Sequence, residues 1–270
     1  MLETIKGVVL SETAVGEFDK FMTVLTENGK ISVFGNGVKR LKSPNFVGCQ
    51  LFSYSEFTVS ERGDKYYLRE ASLIESFFGM RGSIEGISLA NYIAEVAADI
   101  SLDGESSREL LSLVLTCLYV IAEGKKPIPQ VKAVFELRAM CIAGFTPDIV
   151  GCDGCGKYNL NIYYFDVEGG NFLCEDCFGR RNADFENALH RSSESEGIYS
   201  GTRLIMILSP DVYVAMRYVI YCRPQRIFAF ELRDSALDYL ADVCEKYLVC
   251  HMEKNYRTLD FYKNIVKKKD

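Results

Sequence analysis

The sequence predicts an α+β chain: a small five-stranded barrel first, then a mainly helical region that carries a four-cysteine ribbon. Three observations predict it. Period-2 alternation with β-branched and aromatic residues fills the first 78 or so positions, helical periodicity takes over from about residue 84, and two Cys-x-x-Cys pairs interrupt the helical part. Strands first and helices later is the order of an α+β chain or of two domains, not of an alternating parallel sheet. The expected division is a barrel domain over 1–80 and a helical domain over 81–270, with the ribbon inserted at about 150–180.

The predicted strands are Ile5–Leu10, Phe21–Thr26, Lys30–Phe34, Leu51–Ser60 and Tyr66–Ile74. Turn residues separate them: Asn28-Gly29, Gly35-Asn36-Gly37, Ser43-Pro44-Asn45 and Arg62-Gly63-Asp64. Asn28-Gly29 between two alternating runs reads as a hairpin, because both residues tolerate the positive φ of a primed turn. Five short strands in so few residues suit an OB-fold; an SH3-like barrel fits the same pattern.

Five helices are expected. Ser88 is read as the cap of a helix whose apolar residues Leu89, Tyr92, Ile93, Val96, Ala97 and Ile100 share one face. Glu109–Ala122 is ended by Gly124 and Pro127, and Pro129–Ala143 by Gly144 and Pro147. Ser209-Pro210 caps a fourth, with Val212, Ala215, Met216, Val219 and Ile220 inward. Ser235 is read as the cap of the last, with Leu240, Cys244, Tyr247 and Leu248 inward. Residues 182–202, rich in Ser, Glu and Gly, read as a mobile connection.

Cys152, Cys155, Cys174 and Cys177 have the spacing of a four-cysteine zinc site. A Cys-x-x-Cys turn aims two thiolates at one centre, and two turns complete a tetrahedron. Gly151, Gly154 and Gly156 let backbone amides approach the sulfurs. Asn161–Val167 and Phe172-Leu173 read as two strands about a Glu168-Gly169-Gly170 turn, which makes a zinc ribbon. Four thiolates close the shell, so one structural Zn2+ per chain is expected; reduced free thiols and sulfur-ligated iron are the alternatives. The other six cysteines (Cys49, Cys117, Cys141, Cys222, Cys244, Cys250) read as small buried apolar residues.

Composition narrows the classes. Glu3 and the short apolar run Val8 to Leu10 do not make an export signal, and the apolar stretch Leu110–Ala122 is too short to span a bilayer, so a soluble cytoplasmic protein is expected. Histidine occurs only at His190 and His251, and no Walker loop, His-based zinc protease motif or nucleophile elbow is present, so no catalytic residue is named. The net charge of −6 and pI of 5.2 exclude an overall basic nucleic-acid binder. The densest positive stretch is Lys39-Arg40-Leu41-Lys42-Ser43, with Lys6, Lys20 and Lys30 on or beside neighbouring strands. With Phe34, Tyr54 or Phe57 nearby, such a rim would track a phosphate backbone and stack bases; an ordinary solvated loop is the competing reading.

The order of these pieces resembles the RecO family of DNA repair and recombination proteins. The resemblance runs through Lys6-Gly7-Val8-Val9-Leu10, Gly16-Glu17, Lys20, Thr23-Val24-Leu25-Thr26, Gly29-Lys30-Ile31 and Gly37-Val38-Lys39-Arg40-x-Lys42-Ser43. It continues in Gly144-Phe145-x-Pro147, Glu245-Lys246-Tyr247-Leu248 and Thr258-Leu259-Asp260-Phe261. It implies an N-terminal OB-fold, a helical domain with a zinc ribbon, and a non-enzymatic mediator of repair. Such a protein binds single- and double-stranded DNA without sequence preference, anneals strands, and with RecR helps load RecA onto DNA coated by SSB, whose C-terminal tail it contacts. It works in the cytoplasm and associates with the nucleoid during repair. The resemblance places Lys20, Lys39, Arg40 and Lys42 at DNA and the four cysteines at zinc. A zinc-ribbon interaction module without DNA binding, and an enzyme with a structural zinc, are the competing functions. The Phe18-Asp19 step beside Lys20 puts an acid where a cation is wanted.

Overall fold

The computed structural model describes residues 2–63, 65–181, 198–200 and 203–267. The chain divides into two compact units, Met1–Ile128 with Tyr256–Asp270, and Pro129–Asn255.

In the first unit β1 (Leu2–Val15), β2 (Asp19–Thr26), β3 (Gly29–Gly35), β4 (Tyr54–Arg62) and β5 (Lys65–Glu75) close a barrel in the order β1-β2-β3-β5-β4. All pairs are antiparallel except β3 with β5. A three-strand meander closed by a crossed-over hairpin is the OB arrangement, which removes the SH3-like alternative. Closure depends on β1. A bulge between Val9 and Ser11 bends it, so that its first half pairs with β4 and its second half with β2. Val9, Met22, Val24, Val33, Phe57, Val59 and Ala71 point inward, and Val38 and Cys49 from the β3–β4 connection seal the core. The hairpin expected at Asn28-Gly29 forms, but not as a primed turn: Thr26 pairs with Gly29 across Glu27-Asn28, and of Asn28 and Gly29 only the glycine has a positive φ, 103°. Thr26 Oγ1 accepts from the Asn28 amide at 3.1 Å and donates to the Gly29 carbonyl at 2.7 Å.

The strand expected over Leu51–Ser60 begins only at Tyr54. Leu51 and Phe52 belong to a turn, with Phe52 at φ 66°. That turn ties back to β1: the Phe52 amide donates to Val9 O at 2.9 Å, and the Val9 amide donates to Ser53 O at 3.1 Å.

Helices α1 (Ile84–Ile100) and α2 (Arg108–Glu123) pack against β1 and β2, so the compact unit runs on past residue 80. The Lys30 ammonium donates to Ala98 O at 2.7 Å and the Ser107 amide to Glu27 O at 2.8 Å. The cap of α1 is Ser83, whose hydroxyl accepts from the Gly86 amide at 3.0 Å. Ser88 is not the cap; it lies one turn inside and donates to Ile84 O at 2.7 Å. The first turn exposes Ile84, so the apolar period starts late and conceals it.

In the second unit α3 (Ile128–Ile142) is buried nearly all round, its interior crossed by charge. The Lys132 ammonium lies 2.9 Å from Glu136, 2.8 Å from Glu245 and 3.2 Å from Ala241 O. The cysteine segment contributes β6 (Tyr163–Asp166), β7 (Asn171–Leu173) and α4 (Glu175–Arg181), and the expected two-stranded ribbon widens to a sheet of order β7-β6-β9-β8 with β8 (Ile198–Ser200) and β9 (Arg203–Leu208). Part of the expected mobile connection is therefore strand; 182–197 and 201–202, including His190, lie outside the described residues. α5 (Pro210–Tyr221) follows Ser209, whose hydroxyl bonds the Asp211 carboxylate and caps no amide. α6 (Asp234–Met252) starts after Arg233, so Ser235 lies in its first turn and is not its cap. His251 ends α6, with Nδ1 2.9 Å from Tyr247 O. The chain then returns to the first unit as α7 (Arg257–Val266), led by Tyr256, whose ring meets Tyr92 edge-on at 5.8 Å. No helix among the described residues is long and apolar enough to cross a membrane.

Candidate nucleic-acid interface and metal centre

Lys39, Arg40 and Lys42 lie on the loop that leaves β3. Gly37, at φ 65°, turns the chain out of the strand, a conformation that disfavours side chains. The Asp19 carboxylate accepts the Gly37 amide at 2.7 Å, and the Lys39 amide donates to Phe18 O at 2.9 Å. The acid expected to oppose phosphate thus anchors the loop. Two tight turns follow, Arg40 amide to Gly37 O at 3.2 Å and Ser43 amide to Arg40 O at 2.8 Å, and hold the three cations on one short arc. The Arg40 guanidinium covers the Phe18 ring at 4.7 Å. Arg40 and Lys42 are exposed and Lys39 is half-buried. Among the described residues no carboxylate lies within ion-pair distance of any of the three.

The other three cations have different work. Lys20 is 3% exposed, on the inward face of β2 with its ammonium on Glu12, and cannot serve as a phosphate contact. Lys30 donates to the Ala98 carbonyl in the last turn of α1. Lys6 stands 3.8 Å from Glu56 with both side chains open to solvent, a weak pairing that phosphate can displace. Phe57 is fully buried in the barrel core and cannot stack a base, and Tyr54 is half-buried at the start of β4.

Phe34 stands differently. It points outward from β3, and register sets it beside Phe21 on β2 and Tyr67 on β5. The ring centroids are 5.0 Å and 5.9 Å apart, and all three rings are partly exposed. Arg62 lies 5.5 Å over the Tyr67 ring. Sequence reasoning missed Phe21 and Tyr67. The available signal was strand parity: once Met22, Val24 and Val33 are inward, Phe21 and Phe34 must be outward.

The four cysteines of the ribbon converge. Their sulfurs all lie within 4.8 Å of one another, and Cys155 and Cys174 are 3.7 Å apart. That exceeds the ~2.05 Å of a disulfide and matches the edge, about 3.8 Å, of a tetrahedron with ~2.3 Å arms. Cys152 and Cys155 sit on a turn closed by the Gly156 amide to Cys152 O at 2.7 Å. Cys174 precedes α4 and Cys177 is in its first turn. A Cβ on Gly154 would lie 2.8 Å from Cys177 Sγ, so the site requires that glycine. Amides of Gly154 and Cys174 donate to Cys152 Sγ at 3.4 and 3.2 Å, and Arg180 donates to Cys177 Sγ at 2.9 Å. Burial opposes ionisation of Cys152, but those amides outweigh it and bring the thiol down to about 7. Burial, with the neighbouring sulfurs, pushes Cys174 up to about 12. Four thiolates so close repel, so this donor set fits a cation at its centre and could hold a metal ion.

Two family models match the chain, Recombination protein O N terminal over residues 1–77 and Recombination protein O C terminal over 81–260. The chain belongs to the RecO family. Among its relatives, DNA repair protein RecO of Acetivibrio thermocellus is 31% identical over 260 residues, 96% of this chain and 95% of that one. DNA repair protein RecO of Caldicellulosiruptor saccharolyticus is 24% identical over 261 residues, 96% and 97% of the two chains. That of Alkaliphilus metalliredigens is 28% identical over 180 residues, 66% and 73%. The two family models meet near residue 80, whereas the compact units divide at Ile128 because α1 and α2 rest on the barrel.

The remaining cysteines show no activation. Burial pushes the Cys49 thiol up to about 12 and raises Cys117, Cys141, Cys222, Cys244 and Cys250. Cys49, Cys117 and Cys244 are buried as the sequence suggests, whereas Cys141 and Cys222 are half-buried and Cys250 is exposed.

Proposed function

We propose that this chain is a non-enzymatic, cytoplasmic mediator of recombinational DNA repair that acts through the rim of its OB barrel. It binds single- and double-stranded DNA without sequence preference, anneals complementary strands, and with RecR helps load RecA onto DNA coated by SSB. The observation that carries the DNA contact is the arc of Lys39, Arg40 and Lys42, three cations without a carboxylate partner among the described residues, on one anchored loop. Such an arc neutralises successive phosphates and releases their counterions. It also screens two strands from each other while they pair. Lys6 joins from the neighbouring strand; Lys20 and Lys30 support the barrel instead. Family membership supports the partners, including the SSB tail.

In this reading the ribbon cysteines hold one Zn2+. Four thiolates leave no open position, so the ion fixes the ribbon and supplies no Lewis acid. The domain reading follows: 1–80 contacts DNA, and 81–270 carries the ribbon and the protein contacts.

The test is annealing of complementary oligonucleotides coated with SSB, with and without RecR. Wild type accelerates annealing, and the variant lacking all three rim cations does not. Equal rates for the two proteins would remove the rim from the mechanism. Binding that ignores salt would favour a ribbon-centred protein-interaction module, which gains some support from the cations already engaged elsewhere, Lys20 and Lys30.

A further inference from the structure

We infer that the outward row Phe21–Phe34–Tyr67 is a base-stacking subsite that engages the bases of single-stranded nucleic acid and adds nothing to duplex binding, which the rim cations carry. The inference rests on the proposed DNA-binding role and adds which atoms of the ligand the protein reads.

The row is built by register. Phe21 and Phe34 are direct cross-strand partners, as are Phe34 and Tyr67, so three adjacent strands each supply one ring. Strand spacing of about 4.8 Å gives the row a length of roughly 10 Å, room for two or three unstacked bases. The rings do not close over one another. They are inclined at 53° and 71°, and each remains partly exposed. A purely structural aromatic ladder is the alternative, since cross-strand aromatic pairs also stabilise sheets.

Three neighbouring features argue for a ligand. First, α1 and α2 cover the other end of β2 and β3, where Lys30 reaches Ala98 and Glu27 reaches Ser107 and Arg108, and leave the Phe21–Phe34 end open. Second, cations without a carboxylate partner among the described residues flank the row. Arg62 lies over Tyr67 and Arg69 donates to Ser60 Oγ at 3.2 Å on one side; the Lys39–Lys42 loop rises from the β2–β3 end on the other, anchored at Asp19 and Phe18. Third, the sequence alternates so that each ring is outward while its neighbours Met22, Val33 and Tyr66 fill the core. Cations at both margins and π-faces between them match a strand whose phosphates run along the margins and whose bases turn inward. A duplex keeps its bases stacked on each other and offers none to the row.

The chain has no tryptophan, so Phe34→Trp creates a single indole reporter. An oligothymidine of about 15 nucleotides is titrated against this variant, with binding followed independently by anisotropy of a labelled oligomer. Stacking quenches and shifts the indole emission in step with the anisotropy change. A bound complex with unchanged emission overturns the inference and leaves the DNA-binding reading intact. In parallel, Phe21→Leu with Phe34→Leu keeps apolar bulk and removes two π-faces. Affinity for oligothymidine then falls about tenfold or more, whereas duplex affinity and the slope against salt stay at wild-type values. Equal losses on duplex and single strand, or none on either, overturn it. Wild type that binds no oligothymidine at all overturns the underlying reading as well, a result seen before any variant is made.

Discussion

Replacing Lys39, Arg40 and Lys42 together by alanine tests the electrostatic core of the proposal. The three side chains share one loop and have no carboxylate partner among the described residues, so their removal breaks no ion pair and empties no core position. Three cations neutralise about three phosphates. Each contributes roughly 0.7 to the slope of log affinity against log salt on a single strand, and about 0.9 on duplex. The variant's slope is therefore shallower by about 2 on oligothymidine. Between 50 and 200 mM salt, wild-type affinity falls by roughly twentyfold more than the variant's. Fluorescence anisotropy at four or five salt concentrations reads both slopes. A control removes Lys125, Arg223 and Arg226, three exposed cations outside the barrel, and matches the change in net charge. If the rim variant keeps the wild-type slope, or if the control loses as much, the phosphates do not lie along this loop.

Other outcomes follow from the same structure. Lys20→Met leaves affinity at the wild-type value and lowers the melting temperature, because Lys20 is inside the barrel on Glu12 and away from solvent; a loss of affinity in folded protein would return Lys20 to the interface. Lys132→Ala removes the ammonium that lies between the fully buried Glu136 and Glu245 and costs about 3–5 kcal/mol by urea unfolding. Burial opposes the charge of Lys132, but Glu136 and Glu245 hold its pKa above the usual lysine value, so its contribution is complete below pH ~10.4 and fades as pH rises beyond that. Purified without chelators, the protein yields one zinc per chain; chelation raises hydrogen exchange across 150–180 and leaves β1–β5 protected. Gly154→Ala lowers that stoichiometry, because its methyl group meets Cys177 Sγ.

The barrel and the ribbon were legible because their signals are local. Half-buried strands advertise themselves by alternation, and a tetrahedral thiolate site by the spacing of its ligands. What escaped depends on pairing between distant segments. β9 is a short apolar run whose partner, β6, is nearly 40 residues away, so nothing nearby marks it as the third strand of the ribbon sheet. α4 is seven residues long, set by Cys174 before it and Cys177 within it and by acids in its first turn and arginines in its last, too short for a period to show.

Lys20 shows how one residue reverses a reading. On β2 it shares parity with Met22 and Val24, so it must point inward, and an isolated lysine there would be costly. The bulge between Val9 and Ser11 resolves this. Before it, Val9 faces the core; after it, Glu12 takes the inward parity, paired in register with Met22, while its side chain stays 41% exposed. The extra residue flips the parity of β1 and brings a carboxylate to the buried Lys20 ammonium. A cation that looked free in the sequence is consumed by the barrel, and the acid that looked harmful, Asp19, is consumed by the loop. An acidic chain can hold DNA on these terms. What matters is which charges the fold neutralises internally and which it leaves to the solvent, within a screening length of about 8–10 Å.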